Sequence, residues 1–86
     1  MKVIFIFPDG DVLIEIEMDS IPRVNERIDF GEIDQDKFQS EEAFQKFKDD
    51  EYAYRQWVVE EILWSINNVV GNSATITLQE GAQVMR

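Results

Sequence analysis

The sequence predicts a mainly β domain: five short strands curled into a small barrel, with one helix between the third and fourth strands. Three observations carry that expectation. Apolar and polar residues alternate through residues 12–19 and 74–79, the pattern of strands with one wet face. β-Branched and aromatic residues dominate these runs and the opening run 2–7. Turn-forming Pro, Gly, Asn and Asp separate the runs at short intervals. At 86 residues and 44% hydrophobic, residues 1–86 make one domain with apolar material for a single core.

The first strand is Lys2 to Phe7, apolar on both faces. Pro8-Asp9-Gly10-Asp11 is a turn, because Pro presets φ and Gly admits positive φ. Val12, Ile14, Ile16 and Met18 then alternate with Leu13, Glu15, Glu17 and Asp19, giving the second strand of a hairpin. Pro22 cannot donate to a ladder and interrupts the pattern, and Asn25 suits a left-handed turn position. Arg27 to Phe30 resumes the alternation with Ile28 and Phe30 on one side, and Gly31 ends it.

Ser40 followed by Glu41-Glu42 marks a helix start, with a capping hydroxyl and acids in the first turn. Phe44 and Phe47 share a face, so this short helix must dock on the sheet to persist. Asp49-Asp50-Glu51 opposes the helix dipole and ends it. Residues 57–67 admit two patterns. Val58, Ile62, Ile66 and Val69 fit a helical stripe, whereas Trp57, Val59, Ile62, Trp64 and Ile66 fit a strand with a bulge near Glu60-Glu61. The Val, Ile and Trp content favours the strand. Asn67-Asn68 and Gly71-Asn72-Ser73 supply a turn, and Ala74, Ile76 and Leu78 place a last strand on the core; Gly81 to Arg86 is expected to fray.

Function is bounded first by charge and by missing residue types. The net charge is -10, with no His and no Cys. Residues 26–61 hold twelve acids against five bases, which is -7 of the -10. Such a surface repels phosphate backbones and anionic lipid, so neither nucleic acid nor membrane is an expected partner. Without His or Cys there is no Ser-His or Cys-His nucleophile and no zinc site of the usual ligands. The pairs Asp9/Asp11 and Asp34/Asp36 fall in turns or loops of a domain too small for a deep cleft. Counted as a calcium loop from Asp34, the chain offers Phe38, Gln39 and Gln45 where an oxygen ligand, Gly and Glu belong. No Gly-rich phosphate loop occurs. The expectation is no enzyme, no metal and no cofactor.

Two segments carry a resemblance. Ile21-Pro22-Arg23-Val24-Asn25-Glu26-Arg27-Ile28 resembles the Pro-x-Val-Gly-Glu-x-Ile turn and strand of small Src-homology-3-like barrels in uncharacterised bacterial and phage proteins. Trp57-Val58-Val59-Glu60-Glu61-Ile62-Leu63-Trp64 is similar to the aromatic-x-Val-x-x-Val-x-Trp strand that leads into their last hairpin. Asn25 stands where the pattern has Gly. The resemblance covers residues 1–31 and 57–79, implies a Src-homology-3-like barrel and transfers no active-site residue.

Phe38, Phe44, Phe47, Tyr52, Tyr54 and Trp57 cluster near the acids. One reading has them cap an open end of the barrel. The other leaves Tyr52, Tyr54 or Trp57 exposed as interface anchors. The resulting expectation is a cytoplasmic, non-catalytic domain that works through protein–protein contact. Its candidate partner-binding residues are Asp49, Asp50, Glu51, Tyr52, Tyr54 and Trp57. Two alternatives stay open: an acidic mimic of nucleic acid that blocks a DNA-binding protein, and a module for basic or Pro-rich peptides. The last lacks the Ala-Leu-Tyr-Asp-Tyr segment of true Src-homology-3 domains. A homo-oligomer is also an expectation, with a second copy covering the doubly apolar run Lys2 to Phe7 at a sheet edge.

Overall fold

A computed structural model describes residues 1–81. Five strands form one curled, half-barrel sheet: β1 (Lys2–Ile6), β2 (Leu13–Glu17), β3 (Arg27–Ile28), β4 (Trp57–Ser65) and β5 (Ser73–Glu80), in the order β2-β1-β5-β4-β3. One helix, α1 (Glu41–Asp49), lies between β3 and β4, as the sequence predicts. Single 3-10 turns flank it at Gln35–Lys37 and Tyr52–Tyr54.

β1 and β2 make the expected hairpin, closed by Gly10 at φ 76° and by the Gly10 N–H donating to the Phe7 carbonyl at 2.8 Å. The alternation resolves as read: Val12 and Ile14 are buried and Glu15 and Glu17 are exposed. β4 is a strand, with its register shift between Val59 and Glu61, so Glu60 is the extra residue of the bulge. β4 and β5 form the second hairpin. Its turn is held by the Asn67 side-chain oxygen, which accepts from the Val69 and Val70 N–H groups at 2.8 and 3.0 Å. Asn25 takes φ 74°, the left-handed conformation the turn requires. Its N–H donates to the Val59 carbonyl at 2.8 Å while the Val59 N–H donates to Glu26 at 2.9 Å, which ties the turn to β4.

Two features depart from the sequence reading. The hairpins are joined by a parallel pairing of β1 with β5, from Lys2↔Ser73 to Ile6↔Thr77, so the sheet is mixed. β1 is therefore a central strand with both edges hydrogen-bonded, which removes the expectation that it binds a second copy through a free edge. Its second apolar face, Ile4 and Ile6, is half-buried among its neighbours on the sheet. The third strand keeps only Arg27 and Ile28 of the expected run to Phe30. The expected fraying beyond Gly81 lies outside the described residues; the Gly81 N–H itself donates to the Gln56 carbonyl at 2.8 Å.

Helix α1 begins where the side chain predicts: the Ser40 hydroxyl accepts from the Ala43 N–H at 3.1 Å. It ends at Asp50, and Glu51 turns the chain with φ 54°. A non-Gly residue there is strained. Glu51→Gly is therefore expected to stabilise the fold by about 1 kcal/mol, read as a higher urea midpoint at unchanged slope.

The core is layered along the sheet. Val3, Ala74 and Ile16 occupy one end, Phe5, Ile14 and Ile76 the middle, and Phe7, Val12, Leu78 and Trp57 the other. Against that last layer α1 sets Phe47, whose ring lies 6.1 Å from Phe7, 5.2 Å from Phe38 and 5.6 Å from Tyr52. The helix thus caps one end of the half-barrel with aromatic rings.

Candidate functional site

The candidate partner-binding residues split into two groups with opposite environments. Trp57 is 1% exposed. Its ring meets Phe7 at 4.7 Å and Tyr52 at 5.2 Å, and its indole N–H donates to the Tyr52 carbonyl at 2.9 Å. Tyr52 is likewise buried, its hydroxyl donating to Asp9 at 3.3 Å. Burial, then the neighbouring Asp9 charge, pushes the Tyr52 phenol above its usual value. Arg55 covers both rings, its guanidinium 4.9 Å from Tyr52 and 5.0 Å from Trp57, and two hydrogen bonds of 2.9 and 2.7 Å hold it on Glu80. Trp57 and Tyr52 thus take the capping role.

Tyr54 is the opposite case, 85% exposed. The 3-10 turn explains the split: at about three residues per turn, positions two apart point in different directions. Asp49, Asp50 and Glu51 are all exposed beside it, at the end of α1. Asp49 accepts from the Gln45 amide at 2.9 Å, and the Asp50 N–H closes the helix on the Lys46 carbonyl at 2.9 Å.

Glu51 and Tyr54 border a cleft of about 430 Å³ between the 31–35 segment and α1. Phe44, Phe47, Ala53 and Ile33 give it an apolar lining, and Glu32 and Asp34 face it from the 31–35 segment. Lys48 is the basic residue of the lining, with its ammonium 5.2 Å from the Phe44 ring. The volume falls in the range of ligand-binding pockets. The fold therefore brings Glu51 and Tyr54 together with Glu32, Ile33 and Asp34, of which the sequence showed only that Glu32 and Asp34 belong to the acids of residues 26–61. Asp49 and Asp50 flank the cleft without lining it. Three carboxylates around an apolar floor can hold an apolar side chain while pairing with cations beside it.

A second polar cluster anchors the helix. Lys46 reaches back to the Asp9-Gly10-Asp11 turn, 3.0 Å from each carboxylate. Asp11 and then Asp9 raise the Lys46 ammonium above its ordinary value, and Lys46 in turn holds Asp9 below the usual carboxylate range. Arg55 lowers Glu80 in the same way. A carboxyl depressed in the folded state adds stability that is present above its unfolded pKa, about 4, and lost as pH falls through the folded value. Arg55→Gln should therefore flatten the dependence of the urea midpoint on pH between about pH 5 and pH 3. Its loss of packing over Tyr52 and Trp57 is independent of pH and shifts the whole curve down. Among the described residues no group of three or more carboxylates converges to hold a metal ion, and no helix is long and apolar enough to cross a membrane.

No protein-family model, no curated protein and no solved structure matches this chain.

Proposed function

We propose that this protein is a non-catalytic, cytoplasmic binding domain that grips a basic segment of a protein partner in the cleft between residues 31–35 and α1. The observation that carries this reading is the composition of the cleft. An apolar floor of Phe44, Phe47 and Ala53 is bordered by Glu32, Asp34, Glu51 and the exposed ring of Tyr54. Apolar contact supplies affinity there, and the carboxylates select for Lys or Arg and speed encounter. Tyr54 is the anchor because it is large, aromatic and 85% exposed. Asp49 and Asp50 add to the field that draws the partner in.

The peptide-module alternative merges with this reading, and the nucleic-acid mimic is less well supported. A mimic needs carboxylates free and in rows. Here they lie on β2, the turns, α1 and both strands of the second hairpin, and Asp9, Asp11 and Glu80 are engaged by Lys46 and Arg55. Kinship with Src-homology-3-like barrels over residues 1–31 and 57–79 is part of this proposal, supported by the left-handed turn at Asn25 and the extended β4 strand.

The test is a fluorescence-anisotropy titration with a short labelled peptide alternating Arg and Leu, and its Glu–Leu counterpart as control. Saturable binding of the basic peptide alone, weakened by salt, is the expected result. Equal binding of the two peptides contradicts the proposal.

A further inference from the structure

The end of the sheet opposite α1 has a different chemistry. From Ile62 to Gln79 there is no charged residue, in a chain that is 30% charged. Within this stretch Leu63 is 66% exposed, Trp64 49% and Val69 91%, with Ile66 and Val70 also open to solvent. Leu63 and Trp64 lie on opposite faces of β4, and Val69 and Val70 lie in the turn, so apolar side chains are open to solvent on both faces of the hairpin. Nothing in the hairpin's own folding requires Leu63, Val69 or Val70 to be apolar.

The backbone is unfinished at the same place. β3 pairs only with Trp57 and Val58, and the Asn25–Glu26 turn reaches Val59. From Glu60 to Ser65, β4 has a described neighbour on its β5 side alone. The other edge strand, β2, is partly covered: Ile14 bridges Phe38, and the Gln39 side chain accepts from the Leu13 N–H at 2.7 Å and donates to the Asp11 carbonyl at 2.8 Å. A long open edge with apolar side chains is a template for another strand.

We propose that the β4–β5 hairpin is a homodimer interface, in which two copies pair their β4 edges antiparallel about a two-fold axis near Leu63. Three arguments select a second copy as the occupant. An antiparallel edge is complementary to itself, which a two-fold contact requires. Two chains of charge -10 repel each other over most of their surface, and the uncharged stretch of this hairpin, Ile62 to Gln79, is where they approach at least cost. Pairing the edges also covers apolar side chains on both faces of β4, Leu63 against its own copy on one face and Trp64 on the other. Centring the pair on Leu63 sets Glu61 opposite Ser65 of the partner copy and Trp64 opposite Ile62, so no two carboxylates meet directly. The cleft bound by Glu51 and Tyr54 lies at the α1 end, so the dimer and the proposed binding function are independent.

Sedimentation equilibrium of the full chain tests this, from low micromolar to several hundred micromolar, at low salt and at about 0.5 M salt. A monomer–dimer equilibrium that tightens with salt is expected, because screening lowers the repulsion between copies. Leu63→Lys places like charges on the axis and should weaken the dimer by about a hundredfold or more. Val69→Glu, at the exposed turn, should weaken it less. An unchanged circular-dichroism spectrum, and a melting curve that matches wild type at low micromolar concentration where all are monomeric, separate this from misfolding. A wild-type monomer at the highest concentration in high salt overturns the proposal, as does a dimer that Leu63→Lys leaves intact. Open-ended oligomers without a dimer stage overturn the two-fold arrangement.

Discussion

Replacing Trp57 by Ala is expected to cost about 3–5 kcal/mol, the usual range for deleting a buried aromatic ring, and to lower the melting temperature by more than about 12 °C. The site explains the size of the effect. Trp57 contacts Phe7 and Tyr52, carries Arg55 on its face, and donates its indole N–H to the Tyr52 carbonyl. The substitution leaves a void beside Phe7 and Tyr52 and takes the indole donor from the Tyr52 carbonyl, which keeps only the Arg55 N–H at 3.2 Å. A domain this small has about 5–10 kcal/mol in hand, so a large unfolded fraction at 37 °C is expected. Trp57→Phe keeps most of the ring contacts but loses the hydrogen bond, and should cost about 1–2 kcal/mol. Urea unfolding followed by circular dichroism measures both. A loss below about 1 kcal/mol for the Ala variant would contradict the packing described.

The second large effect is on binding. The triple charge reversal Glu32→Lys, Asp34→Lys and Glu51→Lys is expected to weaken the Arg–Leu peptide at least about a hundredfold, since three attractive pairs become repulsive. All three side chains are exposed, so the fold should survive. The net charge moves from -10 to -4, three reversals of two units each. A control of equal charge change, Glu15→Lys, Glu17→Lys and Glu60→Lys, separates the local contacts from the overall field. If both triple variants lose the same affinity, the cleft has no special role. Tyr54→Ala should cost about tenfold, as an aromatic anchor does.

Local structure was legible where one short segment contains its own reason. Ser40 with Glu41 and Glu42 marks the start of α1, Asn25 marks the left-handed turn, and the bulge at Glu60 reconciles two apolar phases of one strand. What was not legible depends on distant segments meeting. The parallel β1–β5 pair joins the two ends of the chain, and no local pattern distinguishes it from a run of hairpins. The aromatic cluster gave composition but not direction: Tyr52 and Tyr54 are alike in sequence, and only the 3-10 turn sends one inward and the other out. The cleft shows the same limit. Glu32 and Asp34 approach Glu51 only because α1 folds back beneath the 31–35 segment. The exposed end of β4 was hidden for a related reason. Trp64 keeps the core-facing phase of its strand, yet it lies beyond the layers that α1 closes.

The measurement that tests the central claim most directly is a residue-by-residue map of where the basic peptide binds, from amide shifts in ¹⁵N-labelled protein. Shifts confined to residues 31–35 and 44–54, largest at Glu51 and Tyr54 and reduced by salt, are the expected result. Shifts spread evenly over the exposed acids of β2, α1 and β4, with Tyr54 unmoved, would contradict it.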